Sequence, residues 1–397
     1  MQGWLRADGR KGIRNTVVVA YLVECAHFVA SEIVAGFRGR DVQLIGFPGC
    51  FPNEYAARMM ERLCTHPNVG AVLFVSLGCE SFDKVRASNA VEASGRPVKT
   101  LVIQKAGGTR ATVKAGQDWV EGALAEIATA VRVPMAASDL VIGTVCGGSD
   151  GTSGISGNPA AGRAFDLLVS EGAACIFEET GELIGCEEIM ASRAVTPELG
   201  QLLRDSVQKA ERYYATLGYG SFAAGNAAGG LSTIEEKSLG AYVKSGDSPI
   251  SGIIKPGDLP PRGGLYLMDV VPDGEVRFGF PNISDNAEIV EMIASGAHLT
   301  LFVTGRGSVV GSAISPVIKI CANPDTFRAL AEDMDVNAGD IIEGRRSIDE
   351  VGREIRDLVL AVAGGRQTAS ETLGHREFIL TYKSFDPIGP ACLPASA

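Results

Sequence analysis

The sequence predicts an α/β protein made of two Rossmann-like parallel-sheet domains, with an active site at the strand carboxyl ends. Three observations predict it. Apolar, β-branched runs alternate with helical segments, cysteines beside glycines follow several of those runs, and the alternation restarts after Pro134. Strands covered by helices on both faces read as continuous apolar runs rather than alternating ones. Loops at the carboxyl ends of such strands are where open α/β sheets gather ligands.

Taken in order, Ile13 to Tyr21 reads as a strand, Cys25 to Phe37 as a helix and Val42 to Phe47 as a short strand. Glu54 to Cys64 is helical, Gly70 to Ser76 a strand of apolar or small residues, and Ser81 to Ser94 helical. Val98 to Ile103 is a strand, and a long amphipathic helix runs from about Thr109 to Val131. Pro134 ends it, so the expected domains are residues 1–133 and 134–397. The second begins with Leu140 to Cys146 as a strand, a Gly-rich loop, a helix from Pro159 to Gly172 and a strand from Ala173 to Glu178. Thr196 to Leu217 reads as a helix, and Ser232-Thr233-Ile234-Glu235 has Ser-x-x-Glu capping-box spacing. Gly263 to Val271 and Ala297 to Thr304 read as strands, Pro324 to Met334 and Ile348 to Ala363 as helices.

Composition narrows the function. Net charge is −11 and no basic stripe carries interleaved aromatics, so nucleic-acid binding is not expected. No apolar run reaches the roughly 18 residues of a membrane helix, and Met1 leads into no signal-like stretch. The expectation is a cytoplasmic protein without a membrane role. Nine cysteines at unequal spacings, without CxxC pairs, suit neither a disulfide framework nor a structural zinc site.

The residues that could carry chemistry sit at predicted strand tips. Cys25, Cys50, Cys79 and Cys146 follow such runs, and Cys146-Gly147-Gly148-Ser149-Asp150-Gly151 lets backbone N–H groups approach an anion. It lacks the Lys-Ser/Thr of a phosphate loop and GxGxxG spacing, and a nicotinamide dehydrogenase is disfavoured because the first strand lacks GxGxxG and its acidic partner. Glu178, Glu179, Glu182, Glu187 and Glu188 crowd one strand end, where carboxylates bind hard cations, raise each other's pKa or trade protons. Solvated acidic loops are the commoner case. Arg306, between glycines after Leu299 to Val303, suits a carboxylate fork, and Lys319 lies inside an apolar strand. No histidine stands in an HxxxH doublet, and His27 is the best placed of the four.

Longer motifs occur in order: Arg6-Ala7-Asp8-Gly9-Arg10-Lys11-Gly12-Ile13-Arg14-Asn15, His66-Pro67-Asn68-Val69-Gly70, Leu77-Gly78-Cys79-Glu80 and the Cys146 loop with Asn158-Pro159. Gly225-Asn226, Gly229-Gly230-Leu231-Ser232-Thr233-Ile234-Glu235-Glu236-Lys237-Ser238-Leu239-Gly240, Thr304-Gly305-Arg306-Gly307 and Asp335-Val336-Asn337-Ala338-Gly339 follow. Together they resemble the large catalytic portion of the altronate/galactarate dehydratase family over nearly the whole chain. That family includes a branch similar to the large subunit of sulfolactate sulfo-lyase. One departure stands out: sugar-acid members resemble Asn-Pro-x-Pro-Gly-Asn where this chain has Gly220-Ser221-Phe222-Ala223-Ala224-Gly225-Asn226.

The resemblance implies β-elimination from a small 2-hydroxy acid to a 2-keto acid, as a sugar-acid dehydratase large subunit or a sulfo-lyase releasing sulfite and pyruvate. It implies iron(II), replaceable by manganese, with an iron–sulfur cluster as the alternative for three thiolates. On this reading Cys50, Cys79 and Cys146 converge on the metal with Glu80 and Asp150 nearby. Arg306, Lys319, Ser149 and Asn226 bind substrate, and Lys237, His375 and Glu179 handle protons. A separate small subunit supplying an N-terminal domain and a homo-oligomer are the expected partners. A non-catalytic ligand-binding protein on a lyase scaffold is the rival of another class.

Overall fold

The apolar runs form two separate parallel sheets, in a computed structural model that describes residues 1–218, 220–275, 284–380 and 382–383. The chain divides into two compact units. The first holds residues 2–133 with the described residues of 272–282 and 378–397; the second holds residue 1, 134–271 and 284–377. Residues 384–397 of the expected second domain lie outside the described residues.

In the first unit, β1 (Gln2–Leu5), β2 (Lys11–Gly12) and β7 (Arg132–Pro134) make a small sheet that the apolar pattern did not announce. The main sheet contains β3 (Thr16–Tyr21), β4 (Val42–Gly46), β5 (Val69–Ser76) and β6 (Val98–Val102), in the order β4-β3-β5-β6, all parallel. β5 is buried at every position, as its unbroken apolar run requires. Val17, Val19, Leu73 and Val75 pack with Ile33 and Val120 from covering helices. The helix Glu54–Cys64 falls on its expected bounds, because the Asn53 side chain accepts from the Ala56 N–H and fixes its start.

The second unit carries β8 (Val141–Cys146), β9 (Ala174–Phe177), β10 (Ile250–Ile254), β11 (Gly264–Met268), β12 (Leu299–Thr304), β13 (Val317–Cys321) and β14 (Val336–Asn337). Their order is β10-β11-β9-β8-β12-β13-β14, again all parallel. From β8 the chain places β9 beside it, then β10 at the sheet edge, and returns to insert β11 between them. It then returns to place β12, β13 and β14 on the other side. The β8/β12 boundary is therefore the topological switch point, where neighbouring strand ends open a crevice.

Three local expectations change. The helix expected over 324–334 stops at Ala329, with Asn323 capping its start. The cap lies one residue later and lacks the reciprocal half of the box: Thr233 caps Ile234–Tyr242 by accepting from the Glu236 N–H, while the Glu236 carboxylate accepts from the Ser232 N–H and hydroxyl. Both Ser232 and Thr233 have a glutamate three residues on, so spacing alone could not choose between them. β10 and the helix Asp285–Ala294 were not anticipated. That helix is buried at every position from Ala287, so it shows no amphipathic period. Among the described residues no helix is long and apolar enough to cross a membrane.

Candidate active site at the strand ends of the second unit

The Cys146 strand ends in a loop drawn tightly onto its neighbours. The Gly147 N–H donates to the Val303 carbonyl at 3.0 Å, and the Arg306 N–H to the Gly148 carbonyl at 3.0 Å. Gly148 has a left-handed φ of 62°, and a Cβ on Gly305 would lie 2.0 Å from Asp150 Oδ1. The turn and the close approach both need glycine. Asn226, itself buried, donates from Nδ2 to the Ser149 carbonyl at 3.1 Å, and Arg306 Nη1 donates to the Gly225 carbonyl at 2.5 Å. Ser149, Asn226 and Arg306, expected to bind substrate, are thus one connected group. Asp150 accepts from the Thr152 N–H at 2.8 Å and from Asn323 Nδ2 at 3.2 Å, and it braces the loop.

Beside this loop, β9 ends in a chain of buried carboxylates. Glu178 and Glu179 follow Phe177, and Glu179 is the sole non-glycine among the described residues with a positive φ, at 76°. An L-residue held there is strained, and such strain concentrates at functional sites. Lys237 Nζ lies 2.7 Å from Glu182 Oε1 and 3.9 Å from Glu179 Oε1, and it donates to the Ser221 carbonyl at 2.5 Å. Lys244, wholly buried, reaches the other oxygen of Glu182 at 3.1 Å. Ser221 Oγ donates to Glu179 Oε1 at 3.1 Å. Glu179 Oε2 and both oxygens of Glu178 have no hydrogen-bond partner.

The electrostatics split these carboxyls. Burial pushes Glu178 and Glu179 well above the usual carboxylate range, and neighbouring glutamates push the same way. Burial also opposes ionisation of Glu182, yet Lys237 and Lys244 outweigh it and hold that carboxyl low. Burial alone would lower the two lysines; Glu182 and Glu179 raise both, so each is an ammonium at neutral pH.

Of the remaining expected residues, Cys146 lies in this same loop and the others fall elsewhere. Cys146 Sγ lies 2.9 Å from Ser149 Oγ and accepts from Asn158 Nδ2 at 3.4 Å, while burial raises its thiol pKa. Cys50 and Cys79 belong to the first unit, where both are exposed, and the Ser81 N–H donates to the Cys50 carbonyl at 2.8 Å. Glu80 is buried there against Ser76 Oγ and the Gly78 N–H. Lys319 and His375 pair with each other, Nζ to Nδ1 at 3.2 Å, with Asp333 3.9 Å from the histidine.

Sequence reasoning missed Glu288 and Lys244 and placed Glu182 only within the carboxylate cluster. Carboxylate oxygens of Glu178, Glu179 and Glu288 lie within 4.8 Å of one another, all buried. The signal for Glu288 was a glutamate in the apolar stretch after Ser284-Asp285, a capped helix start.

Comparison with known proteins accounts for both units. The family model described as D-galactarate/altronate dehydratase, C-terminal, matches residues 137–385. The model described as D-galactarate dehydratase/altronate hydrolase, second domain, matches residues 3–128. The chain is 32% identical over 394 residues to the (2R)-sulfolactate sulfo-lyase subunit beta of Chromohalobacter salexigens, covering 96% of each chain. It is 29% identical over 405 residues to the altronate dehydratase of Bacillus subtilis, covering 96% of this chain and 77% of that one. To the galactarate dehydratase (L-threo-forming) of Escherichia coli it is 32% identical over 321 residues, covering 78% of this chain and 59% of the relative. The chain belongs to the D-galactarate/altronate dehydratase family, whose named members are lyases.

Proposed function

We propose that this chain catalyses β-elimination from a 2-hydroxy carboxylic acid to give a 2-keto acid, at the strand ends of the second unit. One observation carries the reading: two neighbouring buried carboxyls, Glu179 and Glu182, are pushed in opposite directions beside a lysine ammonium. Titratable groups whose environments drive their pKa values apart make an acid–base pair.

Arg306, Asn226 and the Ser149 loop bind the substrate carboxylate and hydroxyls. Glu179 in its ionised form is the base, with Oε1 facing Lys237 and Ser221. It takes the proton from C2, the C2–C3 π bond forms, and the bond from C3 to its substituent breaks. Lys237 gives a proton to a leaving hydroxyl, which departs as water, and the enol passes to the keto acid. Lys244 keeps Glu182 ionised, and so keeps Lys237 charged and aimed. The reading gives no step to Lys319 or His375.

The iron(II) implied by the family resemblance has a fitting donor set here. Glu178, Glu179 and Glu288 would hold a divalent cation, and Glu178 has two orphaned buried oxygens to offer. Glu179 serves both purposes, with Oε1 toward Lys237 and Ser221 and Oε2 unpartnered. Such a cation supplies Lewis-acid stabilisation of the negative charge that develops when C2 loses its proton.

A second reading, release of sulfite from a 3-sulfonated hydroxy acid, is favoured by residues 220–226, where the sequence departs from the sugar-acid pattern. The relative named as a subunit beta supports a separate partner subunit in either case. The test is anaerobic incubation with iron(II), with and without a small subunit supplied in trans. The substrates are altronate, galactarate and (2R)-sulfolactate, and both keto acid and sulfite are assayed. Keto acid without sulfite supports the first reading, and sulfite from sulfolactate the second. Neither product from any of the three overturns both.

A further inference from the structure

We infer that Glu178, Glu179 and Glu288 form an all-oxygen site for one hard divalent cation, with no thiol ligand. The site draws on separate elements: Glu178 and Glu179 follow β9, and Glu288 lies in the first turn of the helix Asp285–Ala294. Their oxygens lie within 4.8 Å of one another, and the three residues are 0%, 6% and 1% exposed. The proposal does not rest on clustering alone. Glu178 is fully buried and no donor group reaches either of its oxygens, the Glu288 carboxyl being its close side-chain neighbour, and no donor reaches Glu179 Oε2 either. Buried polar atoms are almost always satisfied, and orphans in a native fold call for an unseen ion, water or proton.

The nearby cations do not fill this need, because they are turned onto another group. Lys244 and Lys237 contact the two oxygens of Glu182, at 3.1 and 2.7 Å, and Lys237 stays 3.9 Å from Glu179 on its Oε1 side. The two strand-end cysteines of this unit are likewise engaged: Cys146 Sγ contacts Ser149 and Asn158, and Cys321 Sγ contacts the Asn323 carbonyl. Among the described residues, the metal-type grouping contains neither cysteine nor histidine. Carboxylate oxygens select magnesium, manganese or iron(II), whereas an iron–sulfur cluster is held by thiolates.

The inference concerns the ligands and stands or falls separately from the lyase reading, because its readout is bound metal rather than turnover. Metal-stripped protein is titrated anaerobically with Mn2+, following free Mn2+ by electron paramagnetic resonance and bound metal by elemental analysis. Circular dichroism checks the fold of each variant. The expected result is one Mn2+ per chain in the wild type, at least tenfold weaker binding in Glu178→Gln and Glu288→Gln, and unchanged binding in Cys146→Ser. Absence of Mn2+ binding in the wild type, wild-type affinity in folded Glu178→Gln or Glu288→Gln, or loss of metal in Cys146→Ser overturns the site. If one glutamine variant fails to fold, the other decides. Tight Mn2+ without keto acid overturns the lyase reading and leaves the site standing.

Discussion

The two units bury charge in opposite ways. In the first, buried charge meets the backbone. Arg6 Nε donates to the Pro67 carbonyl at 2.7 Å, and Arg96 donates to the Val69 and His66 carbonyls at 2.9 and 3.1 Å. Those arginines pin the turns that lead into β5, and their role is architectural. In the second unit, Glu178, Glu179, Glu182 and Glu288 crowd around two lysines, and several carboxylate oxygens have no donor. A fold tolerates such an arrangement at a cost of several kcal/mol only where something else balances it. The contrast teaches that buried charge marks a site when it is unsatisfied, not merely when it is buried.

The comparison can be broken at four points. The largest effect is expected from Lys244→Met, which leaves Glu182 Oε2 without its partner in a fully buried place. Breaking one side of a buried pair costs about 3–5 kcal/mol. Denaturant unfolding followed by circular dichroism measures it, and a midpoint equal to wild type would remove the network from the account. Arg96→Met comes next, at about 2–3 kcal/mol for two lost charge-assisted bonds to buried carbonyls. Both tryptophans, Trp4 and Trp119, belong to the first unit, so the fluorescence transition should move while Mn2+ affinity does not.

The third is a pH effect of comparable size. Burial, aided by Glu182, raises Asp285 from an ordinary 3.8 to about 6. The folded state then holds a proton that the unfolded chain loses near pH 4. The associated stability is fully present below the unfolded value and is lost as pH rises through about 6. That amounts to on the order of 3 kcal/mol at neutral pH. Asp285→Asn should therefore gain on the wild type between pH 4 and pH 7 in metal-free protein, and parallel curves would refute the shift. The smallest change is expected from Arg40→Ala. Its pair with Glu121 is exposed at 45% and 61%, and such pairs contribute about 0.5 kcal/mol or less.

Much of the fold was legible because its signals are local. Apolar runs such as Val69–Ser76 can only be buried strands, and Ile348–Ala363 is marked by its Ser347/Glu350 capping box and amphipathic face. The site was legible only in part. Glu179, Arg306 and Ser149 sit at tips that the strand pattern locates, whereas Lys237 and Asn226 lie on helices and were marked only by the family motifs. Glu288 and Lys244 act through contacts with residues far along the chain, and no local periodicity marks them. Thiols at strand tips drew attention to the metal question, yet spacing cannot show how such a thiol is engaged, as Cys146 is by Ser149 and Asn158. That distinction depends on how many partners a buried atom already has.

The central claim is that the buried carboxylate–lysine group of the second unit performs the proton transfers. Its most direct test compares keto acid formation by metal-loaded wild type and Glu179→Gln on the substrate the wild type accepts, with matched circular dichroism. Loss of a positioned acid–base group costs roughly 100-fold or more in rate, and that loss is the predicted result. A Glu179→Gln enzyme turning over at the wild-type rate would contradict the account.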